Sequence, residues 1–325
     1  MTDGRCPAVS LIVLNWNGQA FLESCLTSLL EQDYPLTEVI LVDNGSTDNS
    51  VAYVERSFPS VKIIETGRNL GFAGGMNTGI SSSTGDIVIL LNNDTIVYRD
   101  WLARLVECMQ ADYRIGIAGC KVFFSDGVTL QHAGGFVSYP LGFAHHYGYR
   151  EQDKGRLDTI TDVPYVTGAA MAIRRSLLNV IRGLDASYFF YYEDVDICYR
   201  ARSAGWRVVI TPKSSLVHLE SATIVRDSYS YLLCFHKSRM RFLLKHLEPR
   251  AYIEDFIPGE LAWIPGVGSP KERSALKRAY KSALRMLPEV YGQQLGYNAD
   301  TFAMVQAAAE ALRALHAQVG RGGRR

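Results

Sequence analysis

Along the first 125 positions, apolar residues fall in short unbroken runs, with stretches of helical spacing between them. The runs are Val9–Leu14, Val39–Val42, Val61–Ile64, Asp86–Leu91 and Ile115–Phe124. Such runs, bounded by polar residues, read as strands buried on both faces of a parallel sheet. Gln19–Gln32 places Leu22, Cys25, Leu26, Leu29 and Leu30 on one helical face, and Trp101–Gln110 reads as a second helix. Asp48 and Asp100 stand where helix N-caps are expected. The alternation predicts a doubly wound α/β sheet.

Beyond it, Asp126–Val163 is rich in Gly, Tyr and His and predicts loops and short strands. A strand is expected over Tyr165–Ile173, and helices over Ser176–Ile181 and Ile197–Ala204, the latter ending at Gly205. Trp206–Thr211 predicts a strand ended by Pro212, with His218 beyond it. Helical periodicity returns in Arg226–Lys245, Lys271–Leu287 and Thr301–Val319, with Pro249, Pro258, Pro265 and Pro270 between the first two, and Gly320–Arg325 predicts a disordered end.

Charge adds an asymmetry that the net value of +1 hides. Residues 1–225 hold 18 Lys and Arg against 24 Asp and Glu, a balance of −6; residues 226–325 hold 16 against 9, a balance of +7. A basic tail suits an anionic surface, a membrane or a nucleic acid, or is simply a solvated helix face. No run approaches the ~20 apolar residues of a membrane span, and Val9–Leu14 is too short for a signal-peptide core. The six cysteines form no CxxC pair and read as buried free thiols of a reducing compartment.

The candidate chemistry follows the strands. In open α/β sheets, ligands bind beyond the carboxyl ends of the strands. Four strands here run into polar or glycine-rich stretches: Asn15-Trp16-Asn17-Gly18, Asp43–Asp48, Asn69–Asn77 and Asn92-Asn93-Asp94. None is a GxGxxG fingerprint or a GxxxxGK[ST] phosphate loop, which disfavours dehydrogenases and P-loop enzymes. Asn92-Asn93-Asp94 reads either as a metal or phosphate edge or as a polar turn. Glu193, Asp194 and Asp196 read either as helix-dipole complementation or as a general base whose pKa is raised among aromatics and like charges. Asp196 pairs with Arg200 at helical spacing.

Seven stretches, in order, resemble the inverting glycosyltransferases of family 2 with the GT-A fold, and among them the rhamnosyltransferase-like group. They are SLIVLNWNG (10–18), VILVDNGSTDNS (39–50), NLGFAGGMNTGI (69–80), VILLNNDT (88–95), QHAGG (131–135), VTGAAMAIRR (166–175) and YFFYYEDVDICYRARSAGW (188–206). The resemblance implies an α/β GT-A catalytic domain over 1–225 with a mainly parallel sheet. Its nucleotide-binding half would be 1–125 and its acceptor half 126–225, with a basic helical region over 226–325.

It also implies roles. Asp43 matches the aspartate on the pyrimidine base. Asn15, Asn17, Asn69, Gly71, Phe72, Ala73 and Asn77 lie in segments that surround the donor nucleotide and sugar. Asn92 and Asn93 also fall to the donor, with Asp94 at the metal position of the DxD motif. Asp194 matches the catalytic base, beside Glu193, and His218 matches a histidine that reaches metal or diphosphate. The first DxD position, Asp in many relatives, is Asn92 here, which weakens the expected hold on Mg²⁺ or Mn²⁺. The activity implied is sugar transfer from a nucleotide-diphospho-sugar, dTDP-L-rhamnose first and UDP-sugars second, to a glycan or lipid-linked acceptor of bacterial surface polysaccharide. The expected location is the cytoplasm or the cytoplasmic membrane face, with membrane contact through the basic region and no nucleic acid partner. A non-catalytic nucleotide-sugar-binding protein with this fold is the alternative.

Overall fold

The computed structural model describes residues 6–35, 38–155, 159–219, 227–296 and 298–321. The chain forms two compact units. One holds the chain up to Phe136, His145–Phe189 and the stretch from Glu193 through the last long strand; the other holds Val137–Ala144, Phe190–Tyr192 and the C-terminal helices. The 225/226 boundary, Arg226 and the segment 322–325 lie outside the described residues.

The strands are β1 (Val9–Asn15), β2 (Glu38–Asp43), β3 (Lys62–Glu65), β4 (Ile87–Asn92), β5 (Thr95–Val97), β6 (Ile115–Phe123), β7 (Leu130–His132), β8 (Gly135–Ser138), β9 (Phe143–His146), β10 (Thr161–Asp162), β11 (Ala170–Arg174) and β12 (Arg207–His218). The large sheet runs β10-β12-β6-β11-β4-β1-β2-β3, with β5 on β12 and β7 on β6; β8 pairs with β9. β3, β2, β1 and β4 are parallel neighbours, as are β6 and β12, while β11 enters antiparallel between β4 and β6. In the first unit the helices are α1 (Gln19–Leu30), α2 (Ser50–Ser57), α3 (Gly71–Ser82), α4 (Trp101–Ala111), α5 (Arg175–Ile181) and α6 (Glu193–Ser203).

The apolar runs become strands because both faces are covered. On β1, Leu11 and Val13 join the core built by Leu22, Leu26, Trp101 and Leu105 of α1 and α4. Ile12 and Leu14 point the other way, where they leave α3 room only for the glycines at 75 and 79. Alternate residues of a strand serve opposite faces, so an unbroken apolar run is required.

Several local expectations change. Asp100 occupies the N-cap of α4 but makes no capping bond; its carboxylate pairs with Arg104. Asn49, not Asp48, is the N-cap of α2, although Asp48 still accepts the Ser50 N–H at 3.1 Å. The stretch 165–169 is irregular, and β11 begins only at Ala170, because the turn before it holds the ends of other elements. α6 begins at Glu193 rather than Ile197, so all three acids lie in its first turn. β12 continues past Pro212, through an irregularity between Thr211 and Ser215, and His218 is its last residue. A proline is tolerated where the ladder is interrupted.

In the second unit, α7 (Tyr229–His246) is followed by α8 (Pro249–Ala251), a π-turn (Tyr252–Phe256), α9 (Ile257–Trp263), α10 (Pro270–Leu295) and α11 (Ala299–Arg321). The prolines at 249 and 270 sit in first turns, where a missing N–H costs nothing, and Pro258 follows Ile257 just past the π-turn. The helices share an apolar core of Leu243, Leu244, Phe256, Leu276, Tyr280, Leu287, Leu312 and Leu315. A fully buried Arg239–Glu260 pair lies within this unit, with Tyr280 donating to Glu260 at 2.6 Å and the guanidinium over the rings of Phe143 and Trp263. Among the described residues no helix is long and apolar enough to cross a membrane.

Candidate functional site

Parallel register brings the polar strand ends to one edge: Asn15 stands opposite Asp43, and Leu14 opposite Asn92. Asn15 is buried and organises this edge. Its Nδ2 donates to Asp43 Oδ1 at 3.0 Å and Ser46 Oγ at 3.2 Å, and its Oδ1 accepts from Asn93 Nδ2 at 2.8 Å. Asp43 also accepts the Ser46 N–H at 2.9 Å, so its carboxylate braces the loop after β2. Asn17, at φ 52°, gathers the N–H groups of Thr47 and Asp48 on its side-chain oxygen. Asn93 is thereby a tie between two strand ends.

The glycine-rich segment is built the same way. Buried Asn44 accepts the Leu70 N–H at 2.9 Å and donates to Gly71 O at 3.0 Å, while Asn69 Oδ1 accepts the Gly71 N–H. Gly71 takes φ +74°, where a side chain would be strained and would strike the Phe189 carbonyl. The next N–H, of Phe72, bonds that carbonyl at 2.8 Å. Phe72 and Ala73 are buried in the first turn of α3. Asn77 lies a turn further on, and both ends of its amide are engaged by the Leu184 backbone, at 2.8 and 2.9 Å. The structure thus places Asn77 as a clamp on the chain after α5.

At the end of β4, Asp94 is almost fully buried, and its Oδ1 lies 3.0 Å from His218 Nε2. β12 delivers His218 by pairing with β5, with His218 opposite Thr95. The His218 Nδ1 lies 2.7 Å from Gln131 Oε1, an acceptor, so it carries a proton. Nε2 faces a carboxylate oxygen, as a donor in the imidazolium or as a second acceptor in the neutral ring, and Asn92 Nδ2 reaches it only at 3.4 Å. Two acceptors that close require a proton or a cation. Neighbouring ligands of an octahedral Mg²⁺ at about 2.1 Å are separated by about 3.0 Å, the spacing seen here. One carboxylate, one imidazole and an adjacent neutral amide suit a divalent cation that completes its shell with diphosphate oxygens and water. No group of three or more His, Cys, Asp or Glu side chains able to hold a metal exists among the described residues.

Asp194 sits in the first turn of α6 and keeps an accessible edge. Its Oδ2 accepts the Gly168 N–H at 2.9 Å and its Oδ1 the Val195 N–H at 2.8 Å. Surrounding protein raises its pKa above the ordinary aspartate range, and the two N–H groups act against that rise. Glu193 is buried, with its pKa pushed well up by burial first and the Asp194 charge second, and its Oε2 has no hydrogen-bond partner among the described residues. Asp196 is held by Arg200 Nε at 2.7 Å and is structural, as the spacing predicts. A Cβ at Gly168 would press on the Phe72 ring at 3.1 Å and touch Asp194 Cβ at 3.4 Å, so the turn packs closely on both.

These parts meet at one turn, Thr167–Ala169. Gly168 holds Asp194, and the Ala169 carbonyl accepts the Asn92 N–H at 3.0 Å. β4, which ends at Asn92, and the first turn of α6 are thus tied to the same three residues. Motif reading passed over Asn44, Ser46, Gln131 and Gly168 as site residues, though each lies within a matched stretch. Their role depends on bonds across 26 or more positions of sequence.

The sheet and its flanking helices define a class of fold, the GT-A fold. The profile described as Glycosyl transferase family 2 matches residues 10–182, and the chain belongs to that family and is a glycosyltransferase. It is 27% identical over 314 residues to the N-acetylglucosaminyl-diphospho-decaprenol L-rhamnosyltransferase of Mycobacterium tuberculosis (strain ATCC 25618 / H37Rv), covering 88% of this chain and 99% of that protein. It is 30% identical over 228 residues to y4gI of Sinorhizobium fredii (strain NBRC 101917 / NGR234), covering 67% of this chain but spanning only a quarter of that relative's length. Among solved structures, the mannosyltransferase PcManGT of Pyrobaculum calidifontis, in complex with GDP-Man and Mn²⁺, is similar in fold, with a TM-score of 0.54 at 19% identity over 98% of this chain and 89% of that one.

Proposed function

We propose that this family 2 transferase moves L-rhamnose from dTDP-L-rhamnose, with inversion, to a hydroxyl of a polyprenyl-diphosphate-linked glycan in the synthesis of a bacterial surface polysaccharide. The observation that carries the site assignment is the shared Thr167–Ala169 turn, which ties the Asn92 strand end and Asp194 to one rigid support. Asp43 and the Asn15–Asn17 and Asn69–Ala73 segments hold the nucleotide and sugar. Asp94 and His218, with Asn92 beside them, would hold a Mg²⁺ or Mn²⁺ ion. Such an ion, when bound, neutralises the leaving group as a Lewis acid. Asp194 takes the acceptor hydroxyl proton as the oxygen attacks C1 from the face opposite the diphosphate. Its raised pKa suits that task, and burial and the Asp194 charge push the Glu193 pKa well up, which makes Asp194 the readier of the two to act as the base. Rhamnose as the sugar, and a lipid-linked acceptor, are supported by the near full-length mycobacterial relative. UDP-sugars are the second choice of donor.

The acceptor class also suits a protein that works at a membrane face. Lys271, Arg278, Lys281 and Arg285 lie exposed along one side of α10, a stripe able to meet anionic lipid. Co-sedimentation with phosphatidylglycerol vesicles at low salt, and loss of it on replacing the four by Gln, tests this point.

A screen for hydrolysis and transfer across dTDP-, UDP- and GDP-sugars, with and without Mg²⁺ or Mn²⁺, tests the whole reading. Turnover confined to dTDP-L-rhamnose with metal is expected. Asp94→Ala should weaken metal-supported donor binding by an order of magnitude or more, about 10–100-fold. Donor affinity that is unchanged by chelator in the wild type would remove the metal role.

A further inference from the structure

β7 is only three residues long, yet it buries two polar side chains, Gln131 at 8% and His132 at 1% exposure. Buried polar groups are costly unless partnered. Successive side chains of a strand leave on opposite faces, and here they reach two different parts of the site. Gln131 Oε1 receives His218 Nδ1 at 2.7 Å. His132 Nε2 accepts the Thr167 N–H at 3.1 Å, the residue before the glycine that holds Asp194.

The backbone donor fixes the state of His132. Since Nε2 accepts, the ring proton sits on Nδ1, which lies 2.6 Å from His146 Nδ1. A second proton would point at the Thr167 N–H. Burial first, and the neighbouring His146 second, push the pKa of His132 well down, so the acceptor persists at neutral pH. The rings of His146 and Tyr165 pack against it.

We propose that Gln131 and His132 are a pair of positioning residues: Gln131 holds the His218 ring so that Nε2 faces Asp94, and His132 pins the turn whose Gly168 N–H aims the Asp194 carboxylate. The pair makes a closed circuit: His218, Gln131, His132, Thr167–Ala169, and back to β4 through the Asn92 N–H. It separates two effects. Gln131 governs metal and diphosphate affinity, whereas His132 governs proton removal. This inference rests on reading Asp94 and His218 as the metal end and Asp194 as the base.

The test uses the full chain and five variants: Gln131→Leu, Gln131→Glu, His132→Leu, His132→Gln and His218→Ala. Mn²⁺ binding is read by electron paramagnetic resonance, with the ion alone and with dTDP, UDP or GDP. Amide hydrogen exchange is read over 165–169. Gln131→Leu should weaken Mn²⁺ binding about 10–100-fold, and Gln131→Glu, which keeps an acceptor, should restore most of it. His132→Leu should change Mn²⁺ affinity far less than Gln131→Leu does, since the turn reaches the metal end only through the Asn92 N–H, speed exchange at Thr167 and Gly168 about tenfold or more, and move the acid limb of donor hydrolysis to higher pH, because the carboxylate loses an N–H that stabilises its charge. His132→Gln places an amide oxygen near the Nε2 position and should restore slow exchange.

Wild-type Mn²⁺ affinity in Gln131→Leu, with weak binding in His218→Ala, overturns the Gln131 role alone. Wild-type affinity in both overturns the metal reading itself. Unchanged exchange, or faster exchange with an unmoved acid limb, in His132→Leu overturns the His132 role. If that variant does not fold, fast exchange in a folded His132→Gln protein overturns it, and slow exchange supports it.

Discussion

Asp194→Asn separates chemistry from architecture. Both carboxylate oxygens accept backbone N–H groups, at 2.8 and 2.9 Å. An isosteric amide keeps one of these bonds and turns an NH₂ against the other donor. Losing one hydrogen bond to a charged acceptor costs about 1.5–3 kcal/mol. Removing a carboxylate from surroundings that already disfavour its charge offsets part of that cost. The net loss of stability should therefore stay below about 2 kcal/mol, a melting shift of a few degrees at about 2–4 °C per kcal/mol. A positioned general base contributes about 10²–10⁴ in rate, or about 2.7–5.4 kcal/mol of barrier. Turnover should thus fall at least a hundredfold while the protein stays folded and binds donor as before. The assay pairs kcat for transfer with donor affinity by calorimetry and with thermal unfolding. Turnover above about a tenth of wild type, or a loss of donor affinity as large as the loss of turnover, would refute the base assignment.

Three further outcomes follow from the geometry. Asn92→Asp adds a charged oxygen beside Asp94 and His218 and should tighten Mn²⁺ binding, measured by titration; unchanged or weaker binding would place Asn92 away from the ion. Glu193 has a folded-state pKa well above its unfolded one, so the native chain holds the extra proton and stability falls as pH rises above the ordinary glutamate value of ~4.3. Glu193→Gln should remove that fall, and denaturant midpoints from acid to mildly alkaline pH that track wild type would contradict it. In the second unit, Glu260→Gln leaves the buried Arg239 charge without its carboxylate and should destabilise by about 3–5 kcal/mol; a change under about 1 kcal/mol in urea unfolding would mean that the Leu141 carbonyl and the aromatic rings suffice to hold it.

The strands and the polar residues at their ends were legible in the amino-acid order, for a physical reason. A strand buried on both faces must be apolar throughout, and it must stop where polar groups begin. β1, β2 and β4 obey this and deliver Asn15, Asp43 and Asn92 to one edge by parallel register. Cap positions were less legible. Asp100 occupies an N-cap, yet its carboxylate is drawn to Arg104, a choice between nearby partners that residue type does not encode. Pro212 looked like a strand end, but β6 and β5 hold β12 beyond it to His218.

What tertiary structure alone decided is which partners the polar residues of the site take within the protein. In sequence, Asn77 and Asn93 are indistinguishable from donor ligands, since an amide bonds a sugar hydroxyl as readily as a backbone group. The folded chain shows Asn77 clamping Leu184 and Asn93 tying back to Asn15. Likewise Gln131 and Asp94 are 37 positions apart in the chain and meet only through His218. Hydrophobic pattern is local and survives in one dimension. Hydrogen-bond partnership among buried polar groups depends on which loops the packed sheet brings together, and only the three-dimensional structure contains it.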